Sequence, residues 1–208
     1  MAFPQPRVVI LISGTGSNMK AIVAALAEIH CSVDAVISNR PDSAGIGWAG
    51  KTGIKTLVVD HRSYASRDMF DDALLGAVRA MRPDWVFLAG FMRVVRGDFV
   101  DAFAGKLVNI HPSLLPAFTG LNTHQRALDA GVKLHGATVH WVSNELDAGA
   151  PIVQGALRVM ASDTKESLQE RVQRIEHQIY RQAVLGLISQ DQTPSQLLKP
   201  LPAWQLYD

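Results

Sequence analysis

The feature that most constrains this chain is an alternation. Val8–Ile12, Val33–Ile37, Lys55–Val59, Trp85–Ala89 and Leu107–Ile110 are short runs of β-branched and bulky apolar residues, each bounded by turn formers. They read as buried strands. Between them lie Met19–Ile29, Ala44–Thr52 and Arg67–Met81, where apolar residues recur at helical spacing, as Phe70, Leu74, Val78 and Met81 do. Strands separated by helices must be mostly parallel neighbours, because parallel pairing needs a crossover connection and such crossovers are nearly always right-handed. The expected fold class is α/β, a doubly wound, mostly parallel sheet with helices on both faces.

The later part changes character. Leu134–Val142 sets Ala137, Val139 and Trp141 against Thr138, His140 and Val142, and Ile152–Val159 follows across a Gly/Pro-containing loop. These predict two late strands, antiparallel to each other. From Thr164 to Ser189 the stripe Leu168, Val172, Ile175, Ile179 and Leu187 predicts a long amphipathic C-terminal helix. The segment from Gln190 onward reads as an irregular terminal strap.

Bulk composition excludes several function classes. With 208 residues and 48% hydrophobic content, the chain suits one large domain, residues 1–208. The 20 basic and 19 acidic residues leave a net charge of +1, so there is no broad electrostatic footprint for nucleic acid or an anionic membrane. An anionic ligand must therefore be held by a local site. Cys31, the one cysteine, cannot form an internal disulfide, which suits a reducing compartment and makes the cytoplasm the default. Val8–Ile12 is far shorter than a signal-peptide core, and the apolar run Trp85–Met92 falls well short of the ~20 residues a membrane helix needs.

Ser13-Gly14-Thr15-Gly16-Ser17-Asn18 joins the first strand to the first helix. Glycines in that position let backbone N–H groups converge on an anion at the helix N-terminus. A dinucleotide site would put a third glycine where Met19 stands and an acid near the end of the second strand, where Ser38, Asn39 and Arg40 stand instead. A single phosphomonoester fits better than NAD, and without a Walker A lysine, nucleoside triphosphate hydrolysis is disfavoured.

Asn109-Ile110-His111-Pro112-Ser113-Leu114-Leu115-Pro116 begins at the end of a predicted strand. Side chains alternate along a strand, so Asn109 and His111 share one side, and ligands of open α/β sheets bind beyond the carboxyl ends of strands. An amide and an imidazole together can donate hydrogen bonds to an oxyanion developing on a carbonyl. His135 and His140, an odd number of residues apart on one strand, face opposite sides and make a poor metal pair. His30 and His61 read as surface residues, and His124 as a packing or surface residue that could contact ligand. The loop Asn144–Pro151 carries Asp147, a carboxylate suited to orienting a catalytic imidazole.

Three segments together resemble the glycinamide ribonucleotide formyltransferase family: VVILISGTGSNMKAI, PDWVFLAGFMRVV, and LVNIHPSLLPAFTGLNTHQRAL continuing through HGATVHWVSNELDAGAPIVQ. The likeness extends over nearly the whole chain, through SNRPDSAGI and RVQRIEHQIY. It implies a Rossmann-like formyltransferase fold, with a phosphate-binding part at about residues 1–105 and a folate and catalytic part at about 85–190. The implied reaction moves the formyl group of the cosubstrate 10-formyltetrahydrofolate to the amine of glycinamide ribonucleotide, with no metal. Carried over position by position, Asn109, His111 and Asp147 are catalytic, and Gly16, Ser17 and Asn18 bind the substrate phosphate. Glu176 helps hold the substrate, while Arg67, Met92, Arg93, Val94, Val95 and Asn109 bind folate.

The implied partners are these two small molecules, with neither nucleic acid nor membrane, and with a homodimer left open. The sequence departs from the usual family pattern at Ala117 and Thr119 after NIHPSLLP, where a lysine and a proline are common, at Asn122 where a histidine is common, and at Ala148 and Ala150 in a loop usually rich in glycine. Three rivals are a methionyl-tRNA formyltransferase, expected to carry a further basic domain, a formyltetrahydrofolate hydrolase, expected to carry an extra domain before the first strand, and a non-catalytic nucleotide-binding module.

Overall fold

The computed structural model of the protein describes residues 5–95, 97–188 and 204–207. The strands follow the order β3-β2-β1-β4-β5-β6-β7-β8. Two compact units divide the chain, residues 1–108 and 109–208.

In the first unit β1 (Val8–Ile12) is buried at every position. Unbroken burial is what a strand covered on both faces requires, and it explains why these residues do not alternate apolar with polar. Strand β1 pairs in parallel with β2 (Val33–Ser38) and β4 (Trp85–Leu88), and β2 pairs in parallel with β3 (Thr56–Val58). The crossovers carry α1 (Ser17–Glu28), α2 (Ala44–Lys51) and α3 (Arg67–Met81), with α4 (Asp98–Ala102) after β4. Helix α3 shows how the sequence sets its limits. The Ser66 hydroxyl accepts from Met69 N at 3.2 Å, Phe70, Leu74 and Val78 face the core, and Arg82 leaves the helix at φ 47°. Strands β2 and β3 lie to one side of β1 and β4 to the other, so the order reverses at the carboxyl ends of β1 and β4. That is where open α/β sheets hold ligands.

Strand β5 (Leu107–His111) runs across the division between the units. The second unit contains α5 (Thr123–Asp129), the antiparallel pair β6 (Leu134–Trp141) and β7 (Pro151–Arg158), α6 (Lys165–Ile188) and β8 (Trp204–Tyr207). Helix α6 buries Leu168, Val172, Ile175, Ile179 and Leu187, the stripe expected from its sequence, and packs on β6 and β7. A Cβ on Gly155 of β7 would collide with Ile175 and Ile179, so a glycine there permits the close helix-to-strand approach.

The terminal strap needs correcting at one point: Trp204–Tyr207 is a strand, paired in parallel with β7. Tertiary strand pairing supplies its partner, which no local pattern reveals. Residues 190–203 and Asp208 of that strap lie outside the described residues. Two short elements, the 3₁₀ turn His61–Ser63 and α4, also escape a reading by periodicity, because each is shorter than two helical turns.

Candidate active site

In the first unit the loop after β1 is built to keep side chains away. Gly16 stands at φ 75° as the residue preceding α1, a left-handed conformation that glycine tolerates and other residues resist. A Cβ there would also come within 2.8 Å of the Met19 Cε and 3.0 Å of the Gly45 Cα. The first turn of α2 clamps the loop: Gly45 N donates to Gly14 O at 3.0 Å and Ser43 Oγ donates to it at 2.7 Å. Ser17 and Asn18 open α1, where the aligned N–H groups and the helix dipole favour an anion.

Ser13, 3% exposed, ties this loop to the segment after β4. Its N–H donates to Gly90 O at 3.2 Å, its hydroxyl donates to Asn39 Oδ1 at 2.6 Å, and that hydroxyl accepts from Met92 N at 2.7 Å. The segment after β4 thus joins the loop after β1 through one buried serine. Within them Met92 and Val94 are exposed, Arg93 is half-buried with its guanidinium 5.2 Å from the Phe70 ring centre, and Val95 is buried. Arg67 donates from Nη2 to Val94 O at 2.7 Å and from Nε to Asp71 at 3.3 Å. Arg67 therefore shapes this segment through its backbone.

In the second unit, Asn109 and His111 end β5, with His111 6% exposed. The His111 Nε2–H donates to Phe118 O at 2.9 Å, and its Nδ1 lies 3.4 Å from Asp147 Oδ2. Each ring nitrogen thus faces an oxygen acceptor, and only the doubly protonated ring can donate to both. Asp147 is itself held at φ 53°, and the same Oδ2 accepts from Gly120 N at 2.8 Å. Phe118 and Asn122 also take positive φ, 54° and 56°, so one departure from the family pattern, Asn122, stands in backbone of unusual conformation. Arg126 closes this loop by donating to Thr119 O at 2.5 Å and lying over the Phe118 ring.

The loop after His111 is fixed by buried polar groups. Thr138 Oγ1 donates to Ser113 O at 2.7 Å and accepts from Leu115 N at 3.0 Å and from Gln154 Nε2 at 3.0 Å. Gln154 Nε2 also donates to Leu115 O at 2.9 Å. Glu176 lies half-buried on α6. Among the described residues, no group of three or more His, Cys, Asp and Glu side chains is arranged to hold a metal ion.

The sequence raises His135 and His140 only as a poor metal pair, and the partners of each come from the fold. His140 Nδ1–H donates to Trp141 O at 2.9 Å, leaving Nε2 to accept from Asn109 Nδ2 at 3.2 Å. Burial lowers its pKa from the ordinary value. His135 meets His124 at 3.2 Å, and burial pushes both down to about 4. His124, expected at the surface or in packing, is 8% exposed. One available signal was the density of histidines within the Asn109–Asp147 stretch, which holds His111, His124, His135 and His140.

The formyl transferase family model matches residues 6–184. The chain is 44% identical to the phosphoribosylglycinamide formyltransferase of Escherichia coli K12 over 83% of its own length and 82% of that enzyme. It is also 44% identical to the trifunctional purine biosynthetic protein adenosine-3 of Drosophila melanogaster, over 88% of this chain and 14% of that longer protein, so it spans about a seventh of that relative. Among solved structures, glycinamide ribonucleotide transformylase 1 from Symbiobacterium toebii superposes with a TM-score of 0.85 at 42% identity, covering 89% of this chain and 88% of that one. A family match across both units, carried on the fold expected from the alternating strands and helices, places this chain in the phosphoribosylglycinamide formyltransferase family of formyl transferases.

Proposed function

We propose that this chain transfers a formyl group from 10-formyltetrahydrofolate to the amine of glycinamide ribonucleotide, in the cytoplasm, giving N-formylglycinamide ribonucleotide. The observation that carries the reading is the environment of His111, with Phe118 O at one ring nitrogen and Asp147 at the other. The helix N-terminus at Gly16, Ser17 and Asn18 would receive the substrate phosphate, and Glu176 would help hold the substrate. The exposed apolar side chains of Met92 and Val94 suit the flat face of a pterin, and Arg93 suits its glutamate carboxylate.

Attack by the substrate amine on the formyl carbon turns the formyl oxygen into an oxyanion. Asn109 Nδ2 has two hydrogens and gives one to His140, so the second serves that oxygen. The Nε2–H of His111 must turn from Phe118 O to reach it. A neutral carbonyl gains little by such an exchange, since Phe118 O is itself a carbonyl. An oxyanion is the stronger acceptor and wins it. The His111 contribution therefore grows as charge develops, which is the condition for raising turnover rather than tightening substrate binding. Asp147 holds the charged ring and takes part in proton movement to the departing folate nitrogen, directly or through water.

Loss of the formyl group, followed by absorbance with and without glycinamide ribonucleotide, tests the reading. Turnover that requires glycinamide ribonucleotide is expected; turnover only without it would mark a hydrolase and overturn the proposal.

A further inference from the structure

Asn109 carries a functional burden that its own surroundings do not discharge. A carboxamide presents a donor at one end and an acceptor at the other, and the two ends are nearly the same shape. An oxyanion can be stabilised only by the nitrogen end. Something must decide which end faces the substrate.

We propose that His140 is the positioning residue that decides it, by accepting from the Asn109 amide with a ring locked in one tautomer. The lock is local. His140 is 2% exposed on β6, and its Nδ1 lies 2.9 Å from the carbonyl of its neighbour Trp141. That carbonyl can only accept, so Nδ1 carries the hydrogen and Nε2 of the neutral ring carries a lone pair. The partner of Nε2 is Asn109 Nδ2 at 3.2 Å. An amide flipped end for end would bring its oxygen against that lone pair, two acceptors with no hydrogen between them. The flipped orientation is excluded, and the second Nδ2 hydrogen remains for the substrate oxygen.

The lock holds only while His140 stays neutral. Burial, the leading influence, works towards neutrality, and His111 works the same way, whereas the Trp141 carbonyl and the Asp147 carboxylate favour the charged ring. A proton on Nε2 would turn it into a donor, reverse the preferred amide orientation and aim the Asn109 oxygen where a donor is needed.

The inference rests on the formyltransferase reading for its catalytic consequence, but its geometric part can be tested without it. In the uniformly ¹⁵N-labelled wild-type protein at neutral pH, NMR should show His140 as the Nδ1–H tautomer, with a scalar coupling across the hydrogen bond to the Asn109 side-chain nitrogen. The opposite tautomer would overturn the proposal whatever the enzyme does. For catalysis, His140→Leu removes the acceptor and His140→Gln keeps one near the Nε2 position. The Leu variant should lose ~10-fold or more in kcat with KM little changed, and the Gln variant should recover most of it. In an Asn109→Ala background, His140→Leu should cost less than ~2-fold, because the group it positions is gone. Equal losses in both backgrounds would show that His140 acts independently of Asn109. If the Leu variant does not fold, the Gln variant and the NMR measurement still decide.

Discussion

The paired histidines of the second unit should make this protein acid-sensitive by a calculable amount. His124 and His135 meet at 3.2 Å, 8% and 1% exposed, and His135 Nδ1 has no hydrogen-bond partner among the described residues. In the neutral pair one hydrogen bridges the rings, and His135 Nδ1 can remain a bare lone pair. A proton added at His135 Nδ1 would place a buried charge on an N–H with nothing to donate to. Burial accordingly brings both groups from 6.5 to about 4. The folded value lies below the unfolded one, so the unfolded chain binds more protons between pH 6.5 and about 4. The stability contribution is therefore fully present above pH 6.5, falls as pH drops through that interval and changes no further below it.

A displacement of about 2.5 units corresponds to about 3 kcal/mol for each ring. The two rings repel each other once charged, so their effects are not simply additive. At most two protons are taken up on unfolding, a slope near ~2.7 kcal/mol per pH unit, against a total stability of ~5–15 kcal/mol for a typical domain. Urea unfolding at intervals from pH 7.5 down to 4.5 measures that slope. Replacing both histidines with glutamine should remove up to two protons from it, leaving the part due to His140, His177 and the carboxylates. An equally steep fall in the double variant would refute the reasoning, as would NMR showing His124 or His135 titrating near 6.5 in the folded wild type.

The other expectations concern the site. Gly45→Ala would bring a Cβ within 2.5 Å of Ile12 Cδ1 and 3.2 Å of Gly16 Cα, so it should weaken binding of glycinamide ribonucleotide and leave folate binding nearly unchanged; calorimetric titration of each ligand tests this. Asp147→Asn removes the charge opposite His111 Nδ1 but leaves an oxygen that can accept from Gly120 N, so turnover should fall while substrate affinity survives, a split visible in kcat and KM. Asn109→Ala should lose ~10²–10³ in kcat, and its combination with His111→Ala should cost less than the product of the single losses, since both serve one oxygen. Arg67→Ala frees the Val94 carbonyl and should raise the apparent constant for folate without lowering saturated turnover; a loss of turnover alone would count against that role.

Much of this was legible because period and order are local properties. The span of α3 follows from the helical spacing of Phe70, Leu74, Val78 and Met81, and the parallel sheet follows from helices placed between buried runs. The pairing of Asn109 with His111 at the end of β5 follows from strand alternation alone. Asp147 is different in kind. Sequence marks it as a carboxylate in a loop, and only folding brings it within 3.4 Å of a histidine that precedes it by 36 positions. The roles of His124, His135 and His140 were decided wholly by tertiary structure, because a histidine's tautomer and charge depend on what surrounds each nitrogen and on how much water reaches it. Strand β8 depends in the same way on the open side of β7, which supplies backbone partners that no run of side chains can announce.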